Sequence, residues 1–244
     1  MGIDDPEPVA TALDLGYRHL DTARIYGNEA VVGEGIAASG VDRADVTVAT
    51  KLWIDALGAA DVVPAARESA DLLCASTIDL LYVHRPRGAY DPDETLPEFD
   101  RLVDDGLVRA LGVSNFEPDE LDRAVDVLDA PLAAHQTELH PLFHRPELLE
   151  HAREHGYSVV AYSPLAGGRV RDVDAVVAVA EKHGTTPEAV AVAWITGKDP
   201  VVAIPKASSE AHLRANLAAA DLTLDPEDVA AIDAVDREVE LFPE

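Results

Sequence analysis

Seven short runs rich in β-branched and apolar residues recur along the chain, separated by longer amphipathic stretches, and this alternation constrains the fold more than any other feature. The runs are YRHLDT (17–22), VTVAT (46–50), IDLLYVH (78–84), VRALGVS (108–114), LAAHQTE (132–138), YSVVAYS (157–163) and PVVAIP (200–205). Strands that alternate with helices pair in parallel, because a parallel return needs a crossover long enough to hold a helix. The intervening stretches carry helix ends. DDPEPVATALDLG opens on Asp and Pro and closes at Gly16, NEAVVGEGIAASG closes at Gly40, and EPDELDRAVDVLD has acids in its first turn. RPELLEHAREHG, TTPEAVAVAWIT, SEAHLRANLAAAD and DPEDVAAIDAVDRE complete the series, the last with an Asp-Pro-Glu start.

A chain of 244 residues, 48% of them hydrophobic, can bury one sizeable core, so a single domain over 1–244 is expected. The α/β pattern predicts a (β/α)8 TIM barrel. Seven strand units fall one short, and a helix precedes the first of them, so the barrel is predicted to lack its first β-strand at the N-terminus. A barrel short of one strand exposes two unpaired edges, which makes a late-assigned start or a truncated chain the expectation over a natural seven-stranded design.

The charge narrows the partners. Asp and Glu number 46 against 19 Lys and Arg, a net charge of −27, and lysine occurs only at 51, 182, 198 and 206. Nucleic acids and anionic membranes are bound by clustered Lys and Arg, so neither is an expected partner. The acids are interspersed with regular Val, Leu and Ala positions, unlike a disordered acidic tail. A halophilic protein fits this surface, because ions screen the self-repulsion while carboxylates maintain solubility. The start MGIDDPEPVA has no basic region followed by an apolar run, and no stretch of about eighteen apolar residues occurs, so a soluble, cytoplasmic, monomeric protein is expected. The single cysteine, Cys74, lies in the amphipathic run ARESADLLCAS and is predicted to pack in the core.

Four ionisable residues stand at or just past predicted strand ends: Asp21, Tyr26, Lys51 and His84. In a barrel those ends share the face on which the active site lies. A Lys cation near a tyrosine favours the ionised phenol and brings its proton affinity toward the working range. Asp21 would hold Lys51, and His84 would hydrogen-bond a carbonyl oxygen that is gaining negative charge. Taken singly, each of these residues more often caps, pairs or packs.

The flanking sequence sharpens this reading. GYRHLDTARIYGNEAVVGEG, TKLW, IDLLYVHRP, GLVRALGVSNF, HQTELHP, AYSPLAGG, AVAWI, and AIPKASS followed by Asn216 occur in an order and spacing by which the chain resembles the aldo-keto reductases of the prokaryotic type along nearly its whole length. The resemblance implies an NAD(P)H-dependent oxidoreductase acting on aldehydes or ketones, with Asp21, Tyr26, Lys51 and His84 as its catalytic tetrad. It further implies that Ser114, Asn115 and Gln136 hold the nicotinamide carboxamide, that Tyr162 stacks on the ring, and that Ser163 and Leu165 line the pyrophosphate with Lys206 nearby. Ser208, His212 and Asn216 would complete the nucleotide site. Trp53 would wall the substrate pocket, and Arg85, at a position where the family often has Trp, would lie at its rim and favour anionic or polar substrates. No glycine-rich dinucleotide fingerprint opens a strand-turn-helix unit, which argues against a Rossmann domain.

Two departures stand out. Where NADPH-preferring relatives carry a serine and an arginine after the IPK lysine, this chain has Ala207 and His212, and Arg214 falls on nearly the opposite side of a helix. NADPH remains the expected cofactor, with NADH or dual use open. The end at VELFPE leaves little chain for a substrate-enclosing loop, so an open pocket with broad specificity is expected. Two rivals remain. One is a metal-dependent hydrolase suggested by His135, His140 and His144, whose loose spacing argues against metal binding. The other is a catalytically weak nicotinamide-binding regulatory or partner subunit on the same barrel, against which the intact tetrad speaks.

Overall fold

In a computed structural model, which describes residues 3–243, every one of the seven runs forms a strand: β1 (His19–Asp21), β2 (Thr47–Leu52), β3 (Leu80–Val83), β4 (Leu111–Ser114), β5 (Leu132–Glu138), β6 (Ser158–Tyr162) and β7 (Val201–Ala203). The sheet order follows chain order, and the ladders β1 with β2, β2 with β3, β3 with β4 and β6 with β7 are parallel. The first and last strands in that order are three residues long, shorter than their hydrophobic runs, as expected where a ladder has a partner on one side only.

The chain packs as two compact units, one up to His135 and one from Gln136. In the first, α1 (Glu7–Leu15) ends at Gly16, which takes the left-handed conformation at φ 115° and donates its N–H back to the last turn. Next come α2 (Glu29–Ala38), α3 (Ala59–Leu72), α4 (Pro92–Asp104) and α5 (Pro118–Val127), the last opened by a reciprocal capping box between Glu117 and Glu120. Leu13, Val32, Ile36, Val46, Val48 and Leu73 form a buried cluster beneath α1, α2 and β2. At the start of β3, buried Asp79 accepts from the Val48 N–H at 3.0 Å and pairs with Arg43 and Arg109, so its charge is neutralised where β2 and β3 begin.

The second unit carries α6 (Pro146–His155), α7 (Asp174–His183), α8 (Pro187–Thr196), α9 (Glu210–Ala219) and α10 (Pro226–Asp233). The Asp-Pro-Glu start does what its residues suggest: Asp225 accepts from the Glu227 and Asp228 N–H groups, and Pro226 takes the first helical position. The helix stops at Asp233, short of the predicted stretch to 238, because the chain beyond it finds other partners. Val239 N–H donates to Leu142 O at 2.8 Å, and the N–H groups of Leu241 and Phe242 donate to the Glu138 carboxylate at 2.8 and 3.2 Å.

Three helices, α3, α4 and α7, are additional to those predicted, although α4 opens on an Asp91 cap with Pro92 at its first position and α7 closes at Gly184. Pro64 and Pro97 lie inside α3 and α4, where proline removes a backbone donor, yet α4 forms because Thr95, Leu96, Phe99 and Leu102 bury one face. Cys74 corrects an expectation: it is exposed, with φ 52°, because the chain turns sharply after α3 and leaves Leu73 and Ala70 to fill the core. Among the described residues, no helix is long and apolar enough to cross a membrane.

Candidate active site

Strand ends of the first unit carry the four ionisable residues Asp21, Tyr26, Lys51 and His84. Lys51 lies on β2 with its side chain fully buried, and its ammonium donates to Asp21 at the end of β1 and, at 2.7 Å, to the carbonyl of Thr22. In the ladder, Lys51 stands opposite Tyr82, whose ring centroid is 5.8 Å from Nζ. That ring needs Gly112 beside it, since a Cβ there would meet Tyr82 ring carbons at 2.4 Å. The lysine therefore sits in a walled, low-dielectric chamber. Burial pulls its pKa below the ordinary lysine value, and the Asp21 charge and hydrogen bond oppose that fall.

Tyr26 closes a 3-10 turn, Arg24–Tyr26, that follows β1, and its ring centroid is 5.6 Å from Lys51 Nζ. Its ring meets that of His84 edge to face, with centroids 5.9 Å apart and planes at 86°. His84 follows β3, and Trp53, just past β2, packs against its ring at 4.8 Å and 78°. Asn115, held in the left-handed region at φ 61° just after β4, donates its Nδ2 to the His84 carbonyl at 3.0 Å and to Ser114 Oγ at 3.1 Å. Seven of the predicted residues, Asp21, Tyr26, Lys51, Trp53, His84, Ser114 and Asn115, are thus linked by contacts within this one unit. Arg85 is half-buried, and its charge acts on both Tyr26 and His84.

The electrostatics differ from the sequence expectation. Tyr26 is not drawn toward neutrality by the lysine; burial, with the Asp21 charge adding to it, pushes its phenol up to about 12, and Arg85 only partly opposes them. His84 moves the other way, to about 3, through burial and the charges of Lys51 and Arg85, and its Nδ1 is buried without a hydrogen-bond partner. Near neutral pH the site holds a protonated tyrosine and a neutral imidazole.

The histidine has a thermodynamic signature. Below its usual 6.5 the unfolded chain takes up a proton that folded His84 refuses until about pH 3, so stability falls as pH drops through that window. His84→Gln removes the titration. Acid-side denaturant unfolding is expected to show the wild type losing stability relative to the variant by up to about 1.4 kcal/mol per pH unit, and parallel curves would refute the assignment.

In the second unit, Gln136 is buried on β5, and Tyr162 ends β6 with its ring edge-on to Phe242, centroids 5.8 Å apart. Ser163, Ala166, Gly167 and Gly168 all take positive φ in the turn that follows, which contains Leu165. Such left-handed runs form backbone concavities suited to anions. Lys206 and Ser208 are exposed after β7, and α9 carries exposed His212 and half-buried Asn216. Arg214 is paired with Glu210 at 2.7 Å, one turn earlier on the same helix. His140 is buried and bonded to Glu138 at 2.7 Å, while His135 Nε2 in the first unit accepts the Phe116 N–H at 3.3 Å. Sequence reading did not single out Glu138, Thr22 or Asn28; all three are buried polar residues whose partners are distant in sequence or visible only once the turn is built.

A buried Lys–Asp pair thus stands beside a tyrosine and a neutral histidine at the ends of parallel strands, and the family to which the chain is matched reduces carbonyl groups by hydride transfer. The chain belongs to the Aldo/keto reductase family, whose sequence profile matches residues 5–237. It is 37% identical over 235 residues to methylglyoxal reductase DkgB of Salmonella typhi, covering 94% of this chain and 88% of that protein. It is also 37% identical over 242 residues to an aldo-keto reductase of Mycobacterium sp. (strain KMS), covering 99% and 87%. Among solved structures, a protein provisionally assigned as a 2,5-diketo-D-gluconic acid reductase B superposes with a TM-score of 0.92 at 34% identity, covering 97% of this chain and 86% of that one. The fold is that of the (β/α)8 barrel with seven of its strands among the described residues.

Proposed function

We propose that this chain reduces small aldehydes and ketones with NADPH, NADH serving less well, and that Tyr26 is the proton donor. The observation that carries the assignment is the placement of the Tyr26 ring 5.6 Å from the Asp21-bonded Lys51 ammonium and edge to face with His84, whose imidazole burial and neighbouring cations keep neutral. A neutral His84 has no spare proton to give, but it can donate a hydrogen bond to a carbonyl oxygen. The nicotinamide supplies the hydride. As the carbonyl oxygen becomes an alkoxide, a stronger base than phenolate, Tyr26 gives up its proton, and Lys51 steadies the phenolate that forms.

Ser114, Asn115 and Gln136 are proposed to hold the carboxamide and Tyr162 to stack on the ring. Ser163, Leu165 and the left-handed run after them suit a pyrophosphate, and Lys206, Ser208, His212 and Asn216 the rest of the nucleotide. With Arg214 committed to Glu210, a 2′-phosphate would meet only Lys206 and His212, so discrimination between NADPH and NADH is expected to be modest. Trp53 walls the substrate against His84. The acidic surface suits a salt-rich medium, where screening also eases the approach of an anionic nucleotide.

The test follows NADPH and NADH oxidation in parallel, at low and high KCl, with a panel of aldehydes, ketones and α-dicarbonyls including methylglyoxal. Turnover with NADPH favoured is the expected result; nucleotide binding with no carbonyl consumed would leave only a binding subunit. Arg85 decides a finer point. Its cation lies near enough to act on both Tyr26 and His84, so Arg85→Gln is expected to raise KM for keto acids by about 10-fold, the worth of one charge-assisted contact, with neutral aldehydes little changed. Equal changes for both classes would remove it from substrate recognition.

A further inference from the structure

The turn that carries Tyr26 is thinly packed on its outer side, where Arg24 forms an exposed ion pair with Glu68 of α3. Ile25 is 51% exposed, Gly27 takes φ 66° with no atom within 4 Å of where a Cβ would stand, and of the residues between Thr22 and Asn28 only Ala23 is buried. Beside that ion pair and the ring contacts of Tyr26, its placement is set at its two ends. There the buried Thr22 hydroxyl donates to Asn28 Oδ1 at 2.8 Å, a side-chain bond that closes the turn on itself. Each partner is anchored beyond the turn. Thr22 donates its N–H to Ala49 O at 2.9 Å, and its carbonyl is the second acceptor of the Lys51 ammonium, at 2.7 Å. Asn28 begins α2, its backbone carbonyl accepting the Val32 N–H at 3.1 Å, and its Nδ2 donates to Ile3 O at 3.3 Å.

We propose that Thr22 and Asn28 are positioning residues for proton transfer: their buried hydrogen bond clasps the 22–28 turn and so sets where the Tyr26 hydroxyl stands relative to Lys51. The proposal rests on Tyr26 being the proton donor. One carbonyl and one hydroxyl of the same threonine serve the two halves of the acid: the carbonyl fixes the lysine, the hydroxyl fixes the turn. With the hydroxyl gone, the outer side of the turn offers the exposed Arg24–Glu68 pair, a weak restraint on its position. A misplacement of about 1 Å at a reacting group can cost about 100-fold in rate. A loosened turn also wets the phenol, and since burial is the chief cause of its raised proton affinity, that affinity should fall back toward the ordinary tyrosine value.

The experiment compares Thr22→Val, Thr22→Ser, Asn28→Ala, the Thr22→Val/Asn28→Ala double variant and Tyr26→Phe, with kcat, KM, nucleotide affinity by fluorescence and the pH profile of kcat, all below each variant's unfolding temperature. Valine keeps the shape of threonine and removes only the hydroxyl. Expected are losses in kcat of about 10- to 100-fold for Thr22→Val and Asn28→Ala, unchanged nucleotide affinity, an alkaline limb moved to lower pH, near-normal kcat in Thr22→Ser, and a double variant no worse than the poorer single. A Thr22→Val enzyme with wild-type kcat overturns the clasp while Tyr26→Phe remains inactive. So do losses that add in the double variant with the alkaline limb unmoved, the mark of a purely structural bond. A fully active Tyr26→Phe enzyme would instead remove the proton-donor reading, and the clasp with it.

Discussion

Tyr26→Phe is expected to lower kcat/KM by about 10³-fold and leave nucleotide affinity intact. The phenyl ring keeps its edge-to-face contact with His84 and its place 5.6 Å from Lys51 Nζ, so the variant removes one proton and little else. No neighbour can take over the role. His84 is held neutral down to about pH 3, and Lys51 is fully buried with its ammonium already bonded to Asp21 and Thr22. The decisive measurement is a steady-state comparison on a good aldehyde, alongside nucleotide titration by fluorescence. A variant that retained most of its turnover would show that water or another group supplies the proton.

Asp21→Leu is expected to cost about 3–5 kcal/mol of stability, because it strands the charge of a fully buried lysine. The Asp21→Leu/Lys51→Met double variant should regain much of that loss, since an apolar pair leaves no uncompensated charge, yet it should remain inactive. The pH dependence has a definite sign. Burial already lowers the Lys51 pKa and Asp21 opposes the fall, so without Asp21 the folded value drops further below the unfolded 10.5. Between the two values the unfolded chain binds more protons, and the stability of the single variant should climb as pH rises through that window. Urea unfolding at several pH values measures this. A flat profile, or a double variant no more stable than the single, would show that the Lys51 ammonium is not what Asp21 supports.

Much of the chemistry was legible because it is tied to strand ends. Asp21, Lys51, His84 and Ser114 each sit where a β-branched run stops, and parallel pairing brings such ends to one edge whatever the details of packing. Helices were readable where a cap or a proline announced them, as at Asp225 and Glu117; the same signal at Asp91 and Pro92 opens α4, which went unread although burial of Phe99 and Leu102 completes it. Cys74 shows the same limit in reverse: its run is amphipathic, but one residue of turn moved it from the core face to the surface.

Local pattern therefore determined the order of strands and helices, the class of residues at the strand ends and the overall acidity of the surface, because all three depend on neighbours in sequence. Proton affinities did not follow from it. They depend on how deeply each group is buried and which charges face it, and only the folded chain bonded Asp21 to Lys51, brought the Arg85 charge to act on Tyr26, and closed the Tyr26 turn with a bond from Thr22 to Asn28. Desolvation and Coulomb interaction act through space, over a few ångströms between residues tens of positions apart, so tertiary structure alone decided which of the four ionisable residues keeps its proton.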